Sequence, residues 1–267
     1  VSSSGRGPAD LSLVARLRSA GCVFAEDEAG VLVDAAASAD ELESMVLRRV
    51  AGEPLEVVVG WAEFCGLRIA VEPGVFVPRA RTAVLVEHGR GLIRGGSIVI
   101  DLCCGTGAVG VALHHEAPGI ELHVSDVDPV AVACARRNVE PIGGRAHEGD
   151  LFEALPDDLR GRVDLLVVNA PYVPTDAIAT MPPEARDHEP RAALDGGADG
   201  VDVHRRVAAG AVPWLAPGGH LIVETSRHQS SLTATAFELA GLRSSVVTSE
   251  DNDGTAVVGT AGPATAR

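Results

Sequence analysis

Apolar positions recur at helical intervals early in the chain and in strand-length runs from about residue 97 onward. That change of period divides the sequence. Leu11, Val14 and Leu17 fall on one helix face, and Gly21 closes the segment. Ser38-Ala39-Asp40-Glu41 forms a capping box, with Leu42, Met45, Val46 and Arg49 following at helical offsets and Gly52 as the stop. Residues 61–65 and 67–71, joined at Gly66, predict a short hairpin ahead of Pro73-Gly74. Apolar runs at 97–101, 120–125, 163–168 and 220–224 predict strands, with a further one at 145–148, and helices are expected near 107–115, 129–138 and 201–212. Such alternation predicts an α/β fold, a mainly parallel sheet covered on both faces. Residues 242–248 and 255–260 predict two strands around a turn at 251–254. The organisation expected is therefore a disordered start at 1–9, a small helical N-terminal domain with a hairpin at 10–75, and an α/β domain at 76–267.

Composition narrows the class. The chain has 267 residues, 46% of them apolar, which is ample for a core. No apolar run approaches the ~20 residues of a membrane span, and the first residues lack the apolar stretch of a secretory leader, so a cytoplasmic protein with no membrane partner is expected. The formal charge is −15, from 22 basic and 37 acidic residues, and every basic one is Arg. Net acidity argues against duplex nucleic acid as a partner, because phosphate-backbone binding relies on clustered positive charge. The five cysteines include no C-x-x-C pair, so neither a zinc site nor a disulfide framework is expected. His114-His115 at a helix end lacks a third ligand, and no metal is expected there.

Candidate chemistry begins after the first strand of the alternating region. Gly105, Gly107 and Gly110 satisfy the dinucleotide pattern G-x-G-x-x-G, and Asp126 follows at the end of the next strand, where an acid holds a ribose diol. A dinucleotide would place a pyrophosphate on the helix N-terminus. S-adenosylmethionine (SAM) brings a sulfonium and an ammonium instead. Asp101, at the very end of the first strand, suits that ammonium and would repel a pyrophosphate, so the turn favours SAM over NAD without settling it. Asp128 precedes Pro129 as an N-cap, with a ligand role as the lesser alternative. Asp150, after Gly149, is placed either as another N-cap or beside an adenine ring.

Asn169-Ala170-Pro171-Tyr172 follows the fourth strand, at the carboxyl edge where ligands sit in open α/β sheets. An amide or heteroaromatic amino nitrogen is planar, and its lone pair is delocalised. A site activates it by accepting both N–H hydrogens, here through the Asn169 side-chain oxygen and the Ala170 carbonyl. Pro171 stiffens the backbone, and the Tyr172 ring packs on the planar group. These residues together predict a SAM-dependent methyltransferase acting on a planar nitrogen. Glu224 ends the fifth strand near the same edge, with a structural and a functional role equally open.

At this point the sequence resembles the HemK/PrmC family, the protein-glutamine methyltransferases that modify the Gly-Gly-Gln glutamine of peptide-chain release factors. The resemblance runs from about residue 45 to 240. It is carried by Arg48–Leu55 and Gly60–Leu67, by Val75-Phe76-Val77-Pro78-Arg79, by the tetrapeptide, and by Glu189–Gly197 with Asp199-Gly200. It implies a Rossmann-like seven-stranded methyltransferase sheet behind a small, mainly helical N-terminal domain. It implies SAM contacts from Cys103, Cys104, Gly105, Thr106 and Gly107, from Asp126, and from Leu151 beside Asp150. It also implies that Asn169 to Tyr172 hold the glutamine amide, with a release factor as protein partner. Ala170 stands where the family has Pro, Cys103 where it has the first glycine of the turn, and Ala83 where it usually has Glu. The alternatives are a small-molecule or other protein acceptor in the same site, or a catalytically silent SAM-fold binding module.

Overall fold

The computed structural model describes residues 8–182, 186 and 188–263. Residues 1–7 of the stretch expected to lack structure lie outside them, and Pro8 already begins a helix. That helix, α1 (Pro8–Ser19), packs with α2 (Ala25–Ala35), α3 (Ala39–Val50) and α4 (Leu55–Val59) around Leu17, Leu32, Val46 and Val58. The capping box forms: the Glu41 amide donates to Ser38 Oγ at 3.2 Å, and the Glu41 carboxylate accepts from the Ala37 amide at 2.8 Å. β1 (Trp61–Phe64) and β2 (Leu67–Ala70) make the expected hairpin. Its far strand is tied to the main sheet layer by Asn138, whose side chain both donates to and accepts from the Ala70 backbone.

Among the described residues, seven strands form one sheet in the order β5-β4-β3-β6-β7-β9-β8. These are β3 (Ile98–Leu102), β4 (Glu121–Asp126), β5 (Arg145–Glu148), β6 (Val163–Val168), β7 (Leu215–Glu224), β8 (Arg243–Thr248) and β9 (Thr255–Thr260). β3 to β7 run parallel, while β9 slots antiparallel between β7 and β8. The chain leaves β3 for β4 and β5 on one side, then returns to place β6 on the other. This puts a topological switch point at the carboxyl end of β3.

Alternate residues of the central strands feed two apolar cores. Val99, Leu165, Val167 and Ile222 face α5 (Ala83–Gly89), α6 (Ala108–Glu116) and α7 (Pro129–Val139). Ile100, Leu102, Leu166, Val168 and Val223 face α8 (Asp202–Ala211), Trp214 and α9 (Ser230–Leu239). Both faces are dry, which is why these strands read as near-continuous apolar runs.

Four helices escaped the periodicity: α4 has only five residues, too few to show a period, and the other three have their own physical reasons. The buried face of α2 is largely Ala25 and Ala29, with only Leu32 to mark it. α5 is buried almost all round, so it has no amphipathic stripe. α9 is rich in Ser and Thr, and its core contacts come from Thr233 and Phe237. Phe237 is fully buried, and Gly259 of β9 makes room for it, since a Cβ there would lie 2.5 Å from the ring. Phe237→Ala is expected to cost about 3–5 kcal/mol in urea unfolding; a loss below about 1 kcal/mol would show that β9 and α9 do not share this core.

Candidate functional site

A cavity of about 490 Å³ opens at the carboxyl ends of β3, β4 and β6. Its wall includes Asp101, Cys103, Cys104, Gly105 and Thr106 from the turn after β3, and Asp126 from the end of β4. Asp150 and Leu151 after β5 complete one side, and Asn169, Ala170, Pro171 and Tyr172 after β6 form the other. Gly107 is set back from the wall; it caps α6 with φ +75°, and its amide donates to the Cys104 carbonyl at 2.7 Å. The predicted residues otherwise meet in one place, together with Arg79, Thr82, Ser125, Glu189 and Arg206, which the sequence did not single out as site residues.

The turn is built around two carboxylates. Asp101 is buried, and its Oδ2 accepts from the Gly110 amide in the first turn of α6 at 2.9 Å. Burial pushes its carboxyl up to about 8, the Gly110 bond opposing and nearby Asp126 adding to the rise. Asp126 accepts from the amides of Gly105 (2.9 Å) and Asp128 (3.0 Å), and burial raises its carboxyl too. Asp128 is the N-cap of α7, accepting from the Val130 amide at 2.8 Å. Cys103 has φ +55°, in the left-handed region that glycine occupies without cost. Burial raises both the Cys103 and Cys104 thiols far above their ordinary range, so neither is a nucleophile at neutral pH. Asp150 makes no side-chain cap; its carboxylate pairs with Arg206 of α8 at 2.6 Å.

The opposite wall is organised from behind. Asn169 Nδ2 donates to Thr82 Oγ1 at 3.3 Å, which leaves Oδ1 as the free acceptor of that amide. Tyr172 OH donates to Glu224 Oε1 at 3.0 Å, and Arg81 Nε approaches the same oxygen at 3.4 Å. Glu224 is buried behind the wall rather than part of it. Gly196 and Gly200 pack against Tyr172: a Cβ on Gly196 would lie 2.7 Å from its Cα. Gln229 Nε2 donates to the Tyr172 carbonyl at 2.8 Å. The stretch that resembles the family after the tetrapeptide is thus a backbone clamp on Tyr172. Glu189 pairs with Arg79 at the rim, so two widely separated segments of the chain meet there.

The wall suits SAM better than a dinucleotide. The buried Asp101 carboxylate stands in the wall at the start of α6, where it would repel a pyrophosphate and suits an ammonium. Ser125 Oγ is a buried wall atom with no hydrogen-bond partner among the described residues, a polar group left for a ligand. Among the described residues no His/Cys/Asp/Glu cluster could hold a metal, and no helix is long and apolar enough to cross a membrane.

Comparison with known proteins gives the same class. A family model described as methyltransferase small domain matches residues 66–183. A release factor glutamine methyltransferase of Geobacter sulfurreducens is 39% identical over 217 residues, covering 80% of this chain and 75% of that protein. A 4-amino-L-phenylalanine/4-methylamino-L-phenylalanine methyltransferase of Streptomyces pristinaespiralis is 36% identical, covering 73% and 69%. A solved methyltransferase from Pyrococcus furiosus, 16% identical, superposes with a TM-score of 0.56 over 82% of this chain and 98% of that one, which speaks to the fold.

Tyr172 is the only tyrosine in the chain, so its ionisation is directly observable by absorbance. Burial raises its phenol, and the neighbouring Glu224 adds to the rise. Tyrosinate is therefore expected to form only well above the ordinary value near ~10, and a step at that value in the folded protein would contradict the buried Tyr172–Glu224 pair.

Proposed function

The chain belongs to the release factor glutamine methyltransferase family, and we propose that it methylates the side-chain amide nitrogen of a protein glutamine, the Gly-Gly-Gln glutamine of a peptide-chain release factor. It is a SAM-dependent methyltransferase. The observation that carries the acceptor reading is Asn169, whose Nδ2 is committed to Thr82 so that its oxygen is left to accept.

SAM, when bound, supplies a methyl group carried on a sulfonium. Asp101 offers a carboxylate to its ammonium and Asp126 one to its ribose, while Cys103 to Thr106 and Leu151 shape the turn around it. Asp150 serves that pocket indirectly, by holding Arg206 at its edge. Asn169 Oδ1 and the Ala170 carbonyl take the two N–H hydrogens of the acceptor amide. This localises electron density on nitrogen and fixes the plane of the group. Tyr172 packs beside it, held by Glu224 and Gln229. The extra proton leaves once the nitrogen is cationic, so the wall needs no general base. Ala170 keeps the accepting carbonyl that a proline would also supply.

A second acceptor class is favoured by one observation, the likeness to the 4-amino-L-phenylalanine methyltransferase. An aryl amine is also planar with two N–H hydrogens, and the same two acceptors fit it.

Labelled methyl transfer from SAM to purified release factor, followed by mass spectrometry of the Gly-Gly-Gln peptide, is expected to place the label on that glutamine. Label on a free aryl amine instead would keep the chemistry and replace the acceptor. Asn169→Ala is expected to abolish turnover while leaving SAM affinity within about three-fold, because the lost contact belongs to the acceptor; loss of SAM binding in that variant would refute the assignment. With its carboxyl at about 8, Asp101 is protonated near neutral pH before SAM arrives. An ammonium beside it favours the charged form. Binding is thus expected to release a proton near neutrality, and less as pH rises past that value. Calorimetry in buffers of different ionisation enthalpy reads this directly, and a buffer-independent heat would remove Asp101 from the ammonium.

A further inference from the structure

Glu224 takes no part in the chemistry above, yet three side chains of the acceptor wall converge on it. It ends β7 directly beside the end of β6, where Val168 and Val223 are paired in register and Asn169 follows. It is 1% exposed. Tyr172 OH donates to its Oε1 and Arg81 Nε approaches the same atom. The Thr82 hydroxyl also favours the ionised carboxylate. Oε2 of the carboxylate has no full hydrogen bond among the described residues. Thr82 itself is 3% exposed and accepts from Asn169 Nδ2.

We propose that Glu224 is a positioning residue that sets, through Thr82, which end of the Asn169 amide faces the acceptor. A hydroxyl has one proton. While Glu224 is a carboxylate it accepts only, so the Thr82 proton points toward it and the Thr82 lone pairs are left for Asn169 Nδ2. The Asn169 oxygen is then the end that faces the acceptor. A protonated Glu224 becomes a donor, Thr82 turns its own proton to Asn169, and the amide reverses. Its NH₂ end would then meet an acceptor NH₂, donor against donor, and binding of the planar nitrogen would fail. The same carboxylate holds Tyr172, so one buried charge orients both side chains that contact the acceptor. Burial raises the Glu224 carboxyl above its ordinary range, against the Thr82, Tyr172 and Arg81 contacts that lower it. Among the described residues, those are the polar side chains recorded against it. Glu87 of α5, the other acid on that side, is engaged by Ser249 and Asn252.

This inference rests on Asn169 being the acceptor's holder, so its test includes an arm that needs no acceptor. The chain has three asparagines, Asn138, Asn169 and Asn252, so isotope-labelled asparagine gives three side-chain NH₂ groups to follow by heteronuclear NMR. The Asn169 group is expected to shift with pH at a midpoint above that of an ordinary glutamate. The shift should vanish in Thr82→Val, which keeps the shape but removes the hydroxyl, and return in Thr82→Ser. In the second arm, Thr82→Val and Glu224→Gln are expected to lower kcat about ten- to 100-fold with SAM affinity unchanged within about two-fold. Thr82→Ser should restore most of the rate, and Glu224→Gln should flatten the acid limb of the pH–rate profile. An Asn169 resonance indifferent to both pH and Thr82→Val would overturn the proposal, whatever the acceptor proves to be. So would a Thr82→Val enzyme with wild-type turnover. A wild-type protein that leaves release factor unlabelled counts against the acceptor assignment alone, and the NMR arm still decides the orientation.

Discussion

Asp101 sits at the last turn of β3 with almost no solvent contact and takes the amide of Gly110 from the helix that follows. That one bond joins the end of the central strand to the start of α6 across the glycine turn. It requires a chain reversal tight enough to bring a residue nine positions away back onto the carboxylate. Gly105 and Gly107, both at positive φ, make the reversal, and Cys103 adopts the same left-handed region with a side chain. Asp126 then clamps the turn from the next strand through the Gly105 amide. The cavity floor is thus set by backbone amides held on two acids. A phosphate entering there would meet two carboxylates.

The parts of this arrangement legible in the sequence are those written in short spans. The alternation of apolar runs and helices, the capping box at Ser38, and the Asp128-Pro129 start of α7 are local patterns, and each forms as expected. The glycine turn and the tetrapeptide fall in single stretches, and the switch-point topology brings them to one cavity. What stayed hidden depends on contacts between distant segments. Thr82 meets Asn169 across 87 positions, and Arg206 meets Asp150 across 56. No period or motif announces such pairs. Asp150, placed from sequence at a cap or an adenine ring, makes no side-chain cap, lines the cavity and pairs with Arg206 of α8. α2, α5 and α9 were hidden differently, since alanine-rich, uniformly apolar and hydroxyl-rich helices lack the polar–apolar contrast on which periodicity depends.

Two buried carboxylates, Asp101 and Glu224, occupy opposite sides of the site, and both resist ionisation through burial. A buried acid without a full set of partners costs stability, and Glu224 Oε2 lacks one among the described residues. The two acids differ in what they leave open. Asp101 lines the cavity wall. Glu224 is shielded by the side chains it orients, so its charge acts only through Thr82, Tyr172 and Arg81.

A pair of hydrogen-bond acceptors recognises any planar NH₂ group, so on the proposed reading the Asn169 oxygen and the Ala170 carbonyl would select for chemistry and not for identity. Discrimination between a glutamine in a loop and a free aryl amine has to come from surfaces further out. At the rim Arg79 is drawn to Glu189, and Arg81 lies 5.8 Å from the centre of the Tyr172 ring. Both arginines belong to the segment just before α5, and Glu189 to the stretch that leads into the clamp on Tyr172. An acceptor threading between them displaces water from a paired Arg–Glu contact and gains only if it offers polar backbone in return. A peptide carries such groups on both sides of its side chain, whereas a single aromatic amino acid carries them at one end. On the proposed reading the inner wall would set which nitrogen reacts, and the rim which molecule brings it.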